Sequence, residues 1–294
     1  MSLFGGNTSR RAILLLSPFA LAVAASFFRP RETFSKESKQ DMFAAILASV
    51  KTQPKLAEDN RSYREAFLIP LGGLERPPLR ARPSRTSISD RATALITSCE
   101  VSSPAVYENR YRRPIWPRGK SGITFGVGYD IGYTGKDDLT ADWGLYLDGT
   151  VIDQLATACN IKGRDAKGLV QKFRHISVPW ELARRQYMEV MQPRYVGITE
   201  QALPNFRELS DDSRGALVSL VYNRGASFQI PEERDPSNRY KEMREILAAM
   251  KRRKFETIPD LIRDMKRLWD IRELPGLHSR RDAEALLFEI GLEK

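Results

Sequence analysis

Histidine and cysteine are the scarce residues of this chain: two of each among 294, His175 and His278, Cys99 and Cys159. Two histidines leave no basis for a histidine-rich metal centre. No cysteine spacing of the zinc type, no P-loop and no RNA-binding signature occurs either, so no metal and no organic cofactor is expected. An unbroken apolar run of about 20 residues, the length a membrane-spanning helix needs, is also missing, because the uncharged stretch 12–28 is interrupted by Ser17 and Pro18. Acidic residues are in deficit: 37 Asp and Glu against 47 Lys and Arg leave a net charge of +10. Such a balance favours an anionic partner. Acidic lipid and the bacterial envelope fit better than nucleic acid, for which no recognition motif accompanies the charge.

The amino terminus reads as an export signal. Arg10 and Arg11 precede the apolar run, Ala22-Val23-Ala24 offers a small-residue cleavage site, and Ser9-Arg10-Arg11 is similar to a twin-arginine signal. The alternative is an uncleaved anchor, a possible inner-membrane tether through residues 12–28; either reading places the rest of the chain in the periplasm or outside the cell. There a disulfide between Cys99 and Cys159 is permitted, although two cysteines in a chain of this size also serve as buried apolar residues. Residues 29–88 have the composition of a stalk. One short amphipathic helix fits Asp41–Lys51, and the run Arg76–Arg85, RPPLRARPSR, is basic, proline-rich and without periodicity.

A folded domain is expected over 89–294, long enough to bury one principal core. Ser87, Ser89 and Asp90 can cap a helix through Ala92, Leu95 and Ile96 that ends close to Glu100. Four prolines and glycines between Val101 and Lys120 read as loop. Segments 165–175, 180–192, 211–223, 240–254, 259–271 and 279–290 carry apolar residues at helical spacing. Between these helices lies Ser121–Tyr133, SGITFGVGYDIGY. Its alternate positions Ile123, Phe125, Val127, Tyr129, Ile131 and Tyr133 are bulky, as a half-buried strand requires. The other face carries only Thr124, Asp130 and glycine. Glycine weakens a strand, so a face stripped to it suits a place where a ligand or another backbone comes close. A glycine-rich hairpin packed on a helix accounts for the pattern equally well. A small β-ribbon among many helices is an α+β arrangement.

A carboxyl at a helix end, as at Glu100, points from a rigid element toward whatever the ribbon covers, and partial burial favours the protonated form a general acid needs. Asp130, on the glycine face, would sit in a wetter site and stay ionised. Two carboxyls in unlike environments flanking a cleft are the minimum for glycoside hydrolysis. Glu100 followed by Ser121-Gly122-Ile123-Thr124-Phe125-Gly126-Val127-Gly128-Tyr129-Asp130 resembles the active-site stretch of phage-type lysozymes. Ala216–Gly225, ALVSLVYNRG, is similar to that family's central helix. Arg267-Leu268-Trp269 with Gly276-Leu277, Arg280-Arg281 and Glu284 is similar to its carboxy-terminal helices. The resemblance runs in order from about residue 90 to 292.

The order within the active-site stretch departs from that of ordinary phage lysozymes, which place an aspartate between the glutamate and the threonine. Here the sequence Glu…Thr…Asp is closer to that of the pesticin-like muramidases. The resemblance implies a lysozyme-like fold, Glu100 as acid, Thr124 as the residue holding the attacking water, and Asp130 as the second carboxylate. It also implies inversion, with the carboxyls about 6.5–9.5 Å apart. A straight strand would separate Thr124 from Asp130 by about 20 Å, so Gly126 or Gly128 must turn the chain. If neither does, Glu108 becomes the candidate second carboxylate.

Tyr129, Trp116, Asn223 and Arg224 are expected to line the substrate cleft. Trp116 stands in the aromatic and basic insert Tyr107–Lys120, and Asn223 and Arg224 stand at a helix end, where an arginine also serves the terminal carbonyls. His278 is expected at the surface. Together these readings describe an exported, monomeric peptidoglycan hydrolase, a muramidase that cleaves the β-1,4 bond between N-acetylmuramic acid and N-acetylglucosamine, with no cofactor and no nucleic-acid partner. The alternative is an inactive, membrane-tethered module that binds peptidoglycan, since fold does not guarantee chemistry.

Overall fold

In the computed structural model, which describes residues 38–62 and 81–294, helices begin where short polar side chains can cap them. Ser38 accepts from the Asp41 amide at the start of α1 (Lys39–Thr52), and Ser89 from Ala92 at α3 (Asp90–Val101). Ser103 does the same at α4 (Pro104–Arg110) and Ser210 at α10 (Asp211–Arg224). Each oxygen serves a first-turn N–H that has no partner within its helix. The other helices are α2 (Pro54–Ser62), α5 (Lys136–Trp143), α6 (Gly149–Ala156), α7 (Gly163–Leu169), α8 (Trp180–Gln186), α9 (Gln192–Ala202), α11 (Lys241–Arg252), α12 (Ile258–Asp264) and α13 (Pro275–Leu292).

The sheet among the described residues is one antiparallel pair, β1 (Thr124–Phe125) and β2 (Tyr129–Asp130). The class is α+β, dominated by helix. α10 forms the centre: Leu217, Val218, Leu220, Val221 and Tyr222 are all fully buried, between α13, α3 and α9. A helix enclosed on nearly every side carries no single apolar stripe.

The expected stalk is corrected in two places. Residues 38–62 form α1 and α2, which pack on α13 and α3, and residues 81–88 run along α9, with the Ser84 amide donating to the Pro193 carbonyl at 2.9 Å. The physical reason is that α2 buries polar side chains. Asp59 accepts from the Gly276 amide at 3.0 Å, and the Asn60 side-chain amide donates to the Gly276 carbonyl at 3.0 Å. Both serve the first turn of α13, so a segment with little apolar periodicity is nevertheless part of the core. The export signal or anchor expected at 1–28, and the parts of the expected stalk at 29–37 and 63–80, lie outside the described residues.

Other helices differ from expectation for local reasons. α4 occupies part of the expected loop, with Pro104 in its first turn, where a missing N–H costs nothing. The segment from Trp180 continues beyond residue 192 because a π-turn at Tyr187–Met191 leads into α9, whose first turn accepts Pro193. α5, rich in polar residues, and α6, both of eight residues, follow the ribbon where no helix was expected.

Cys99 and Cys159 are free thiols. Cys99 lies wholly inside α3's buried face, and burial pushes its thiol up to about 12. Since the thiolate is the reactive form, Cys99 is expected to resist iodoacetamide at pH 8 in the native protein and to react only on unfolding. Peptide mass spectrometry of the alkylated chain reads this directly.

Candidate functional site

The site is built at the carboxyl end of α3. The helix stops after Val101 because Ser102 adopts φ 67°, a left-handed conformation costly for serine. Its hydroxyl donates to the Val50 and Lys51 carbonyls at 2.9 and 3.0 Å, tying the end of α3 to the end of α1. Glu100, one turn-residue before the stop, is therefore held by two helices and is completely buried.

Opposite it stands the ribbon. Gly126 and Gly128 take φ +57° and +71°, and between them the chain reverses. That reversal brings Thr124 directly across from Asp130 in the β1–β2 register, with Phe125 across from Tyr129. The Tyr222 hydroxyl of α10 donates to the Val127 carbonyl at 2.6 Å, which fixes the turn to the core. The expected half-buried strand is thus a hairpin buried on both faces. At its base Gly122 and Gly132 stand so close that a Cβ on Gly122 would meet the Gly132 backbone at 2.4 Å. Close approach of another backbone accounts for those two glycines, and a left-handed turn for Gly126 and Gly128.

Glu100, Thr124 and Asp130 line one narrow cavity together with Arg61, Pro117, Ser121 and Gly128. It leaves about 10 Å³ for the centre of a water molecule, room for about one water. Asp130 accepts from the Gly122 and Gly132 amides, each at 2.9 Å to Oδ1, and the Thr124 hydroxyl donates to the Gly122 carbonyl at 3.3 Å. Glu100 accepts from Arg280 Nη1 at 3.1 Å through Oε1, while Oε2 has no hydrogen-bond partner.

Arg280 belongs to a fully buried network. Its Nε donates to Glu284 at 3.1 Å and its Nη2 to the Ser219 carbonyl at 3.0 Å, and the Ser219 hydroxyl donates to Glu284 at 2.6 Å. Arg281 pairs with Glu284 at 2.8 Å and reaches Asn223 Oδ1 at 3.5 Å. Two arginines face two glutamates, all without solvent exposure, so the charges balance as burial requires.

The remaining expected site residues scatter. Trp116 is half-buried beside the cavity wall, its indole N–H donating to the Ser121 carbonyl at 3.0 Å. Asn223 touches the buried network and not the cavity. Tyr129 and Arg224 do not line the cavity. The Tyr129 ring packs against Trp143, its hydroxyl donates to Asp142 at 2.8 Å, and burial, with Asp142 beside it, holds that phenol well above the usual range. Arg224 donates to the Arg239 carbonyl at 2.8 Å and lies over Tyr240 and Trp269. Glu108 is directed elsewhere, accepting from the Trp180 amide and from Arg112. His278 is partly buried against the Trp269 carbonyl. Tyr107 and Tyr111 of the insert are buried rather than displayed.

Arg61 is the cavity residue that sequence reasoning missed. It falls in the presumed stalk, where no periodicity signals burial. A wider groove of about 410 Å³, between Phe228–Pro231 and α11, carries Arg244, Lys251 and Arg252 but no carboxyl, and so lacks an acid for the expected chemistry. Neither the protein-family models nor the curated proteins include a match to this chain.

What the cavity can do follows from its donors. Two buried carboxyls and a hydroxyl around a space for about one water are suited to acid–base work on a bond brought against Glu100. The described residues hold no group of three or more His, Cys, Asp or Glu side chains placed to bind a metal ion.

Proposed function

We propose that this chain is a peptidoglycan hydrolase of the muramidase type, with Glu100 protonating the leaving oxygen and a water between Thr124 and Asp130 attacking the anomeric carbon. The observation that carries the reading is the glycine turn that sets Thr124 across from Asp130 in the cavity that Glu100 also lines. The sequence order Glu…Thr…Asp, shared with pesticin-like muramidases, supports the same roles. Inversion calls for a water between the two carboxyls, and the cavity that both line has room for about one. A pyranose ring needs far more room than one water, so substrate entry requires this cavity to widen. The net charge of +10 suits a polyanionic wall, and attraction of that kind weakens with salt.

A second reading has its own observation. Glu100 is entirely buried and ion-paired, as a structural carboxylate is, and this favours a wall-binding module without activity. Incubating the full chain with purified peptidoglycan separates the two. A muramidase releases soluble muropeptides with reducing muramic-acid ends, and Asp130→Asn releases them at least tenfold more slowly. An inert chain that still sediments with peptidoglycan is a binding module.

A further inference from the structure

The cavity is completed from an unexpected place. Arg61, near the carboxyl end of α2, is 5% exposed, and its guanidinium carbon lies over the Tyr111 ring, 3.6 Å from the centroid. Its Nε donates to the backbone carbonyl of Glu100 at 3.1 Å, and its Nη2 donates to the same oxygen. That carbonyl is among the last of α3, where no intrahelical N–H is available and the helix dipole is negative. A planar cation with a rigid fork of donors suits the position better than lysine does. α2 itself is anchored away from the cavity, through Asp59 and Asn60 on Gly276, whereas Glu58 makes only an exposed pair with Arg110.

We infer that Arg61 is a positioning residue for Glu100: by clamping the Glu100 carbonyl from across the cavity wall, it sets where the Glu100 carboxyl stands relative to Thr124 and Asp130. α1 and α2 thereby belong to the functional domain and are not a tether. The inference rests on the hydrolase reading for its kinetic arm only. Misplacing a reacting group by about 1 Å costs about 10²-fold in rate, and a carboxyl at the end of a helix moves with the carbonyl of its own residue.

The test uses the full chain with Arg61→Ala, Arg61→Lys and, as a control on the same helix, Glu58→Ala. Muropeptide-release kinetics, the thermal midpoint and the carboxyl-carbon resonance of Glu100 in ¹³C-labelled protein are measured for each. Arg61→Ala is expected to lower kcat about 10- to 100-fold with KM within twofold and to move the Glu100 resonance. Millimolar guanidinium should restore part of kcat, Arg61→Lys should fall between, and Glu58→Ala should match the wild type. A fall in thermal midpoint with kcat and the resonance unchanged overturns the inference, as does a loss of kcat shared equally by Glu58→Ala. If the wild type is inert on peptidoglycan, the hydrolase reading fails. The Glu100 resonance then decides alone: unmoved in Arg61→Ala, it overturns the clamp, and moved only there, it supports it.

Discussion

Replacing Glu100 by glutamine is expected to lower the rate of muropeptide release by about 10²- to 10⁴-fold, the contribution of a positioned acid–base group. Glutamine keeps the shape and an oxygen for Arg280 Nη1, which lies 3.1 Å away, but cannot deliver the proton. It also removes one of two buried negative charges that balance two buried arginines, so a loss of stability accompanies the loss of rate and must be separated from it. Glu284→Gln provides the separation. It deletes the same charge from the same network at a residue that does not line the cavity. Rates per folded molecule, taken from soluble muropeptides by chromatography, should fall far more for Glu100→Gln than for Glu284→Gln. Equal losses would mean that Glu100 matters only as a member of the network.

The second large effect concerns stability. Arg280→Met removes the cation shared by Glu100, Glu284 and Ser219 and leaves buried carboxylates short of a partner. Breaking a buried pair from one side costs about 3–5 kcal/mol, and for a domain of this size each kcal/mol shifts the thermal midpoint by about 2–4 °C. Calorimetry should therefore show a drop of about 6–20 °C. Adding Glu100→Gln to Arg280→Met should recover part of it, because the pair's coupling of about 0.5–3 kcal/mol is then absent from both states. A double variant as unstable as the sum of the two singles would show that Arg280 acts by packing, not by pairing.

How much of this was legible in the sequence depends on what kind of signal each element leaves. A serine cap and apolar spacing mark α3 closely, apolar spacing alone marks α10 and the body of α13 but not its start at Pro275, and the glycines at 126 and 128 mark a turn once Thr124 and Asp130 are required to meet. The hairpin's burial on both faces is not legible, because alternation shows which side chains are large and not what covers the small ones. α2 escapes because, beside Leu56 and Ala57, its buried side chains are Asp59, Asn60 and Arg61, chemically the residues of a solvated surface. The same blindness applies to the network. Nothing local distinguishes Arg280 and Arg281 from exposed arginines, and only their encounter with Glu100, Ser219 and Asn223, 58 to 180 positions upstream, makes them core. Tyr129 fails in the opposite direction: its place next to Asp130 suggests the cleft, while the pleat sends its ring to Trp143.

The pairing of Glu100 with Arg280 also dictates an order of events. During synthesis the amino-terminal half emerges first, and Glu100 has no counter-charge until α13 has been made and has docked on α10 and α2. Contacts that span so much chain form late, since the loop between them must close before they repay the cost. A nascent chain that lacks α13 therefore contains every residue of the cavity wall but leaves Glu100 without its counter-charge, and whatever chemistry resides there waits on completion of the fold.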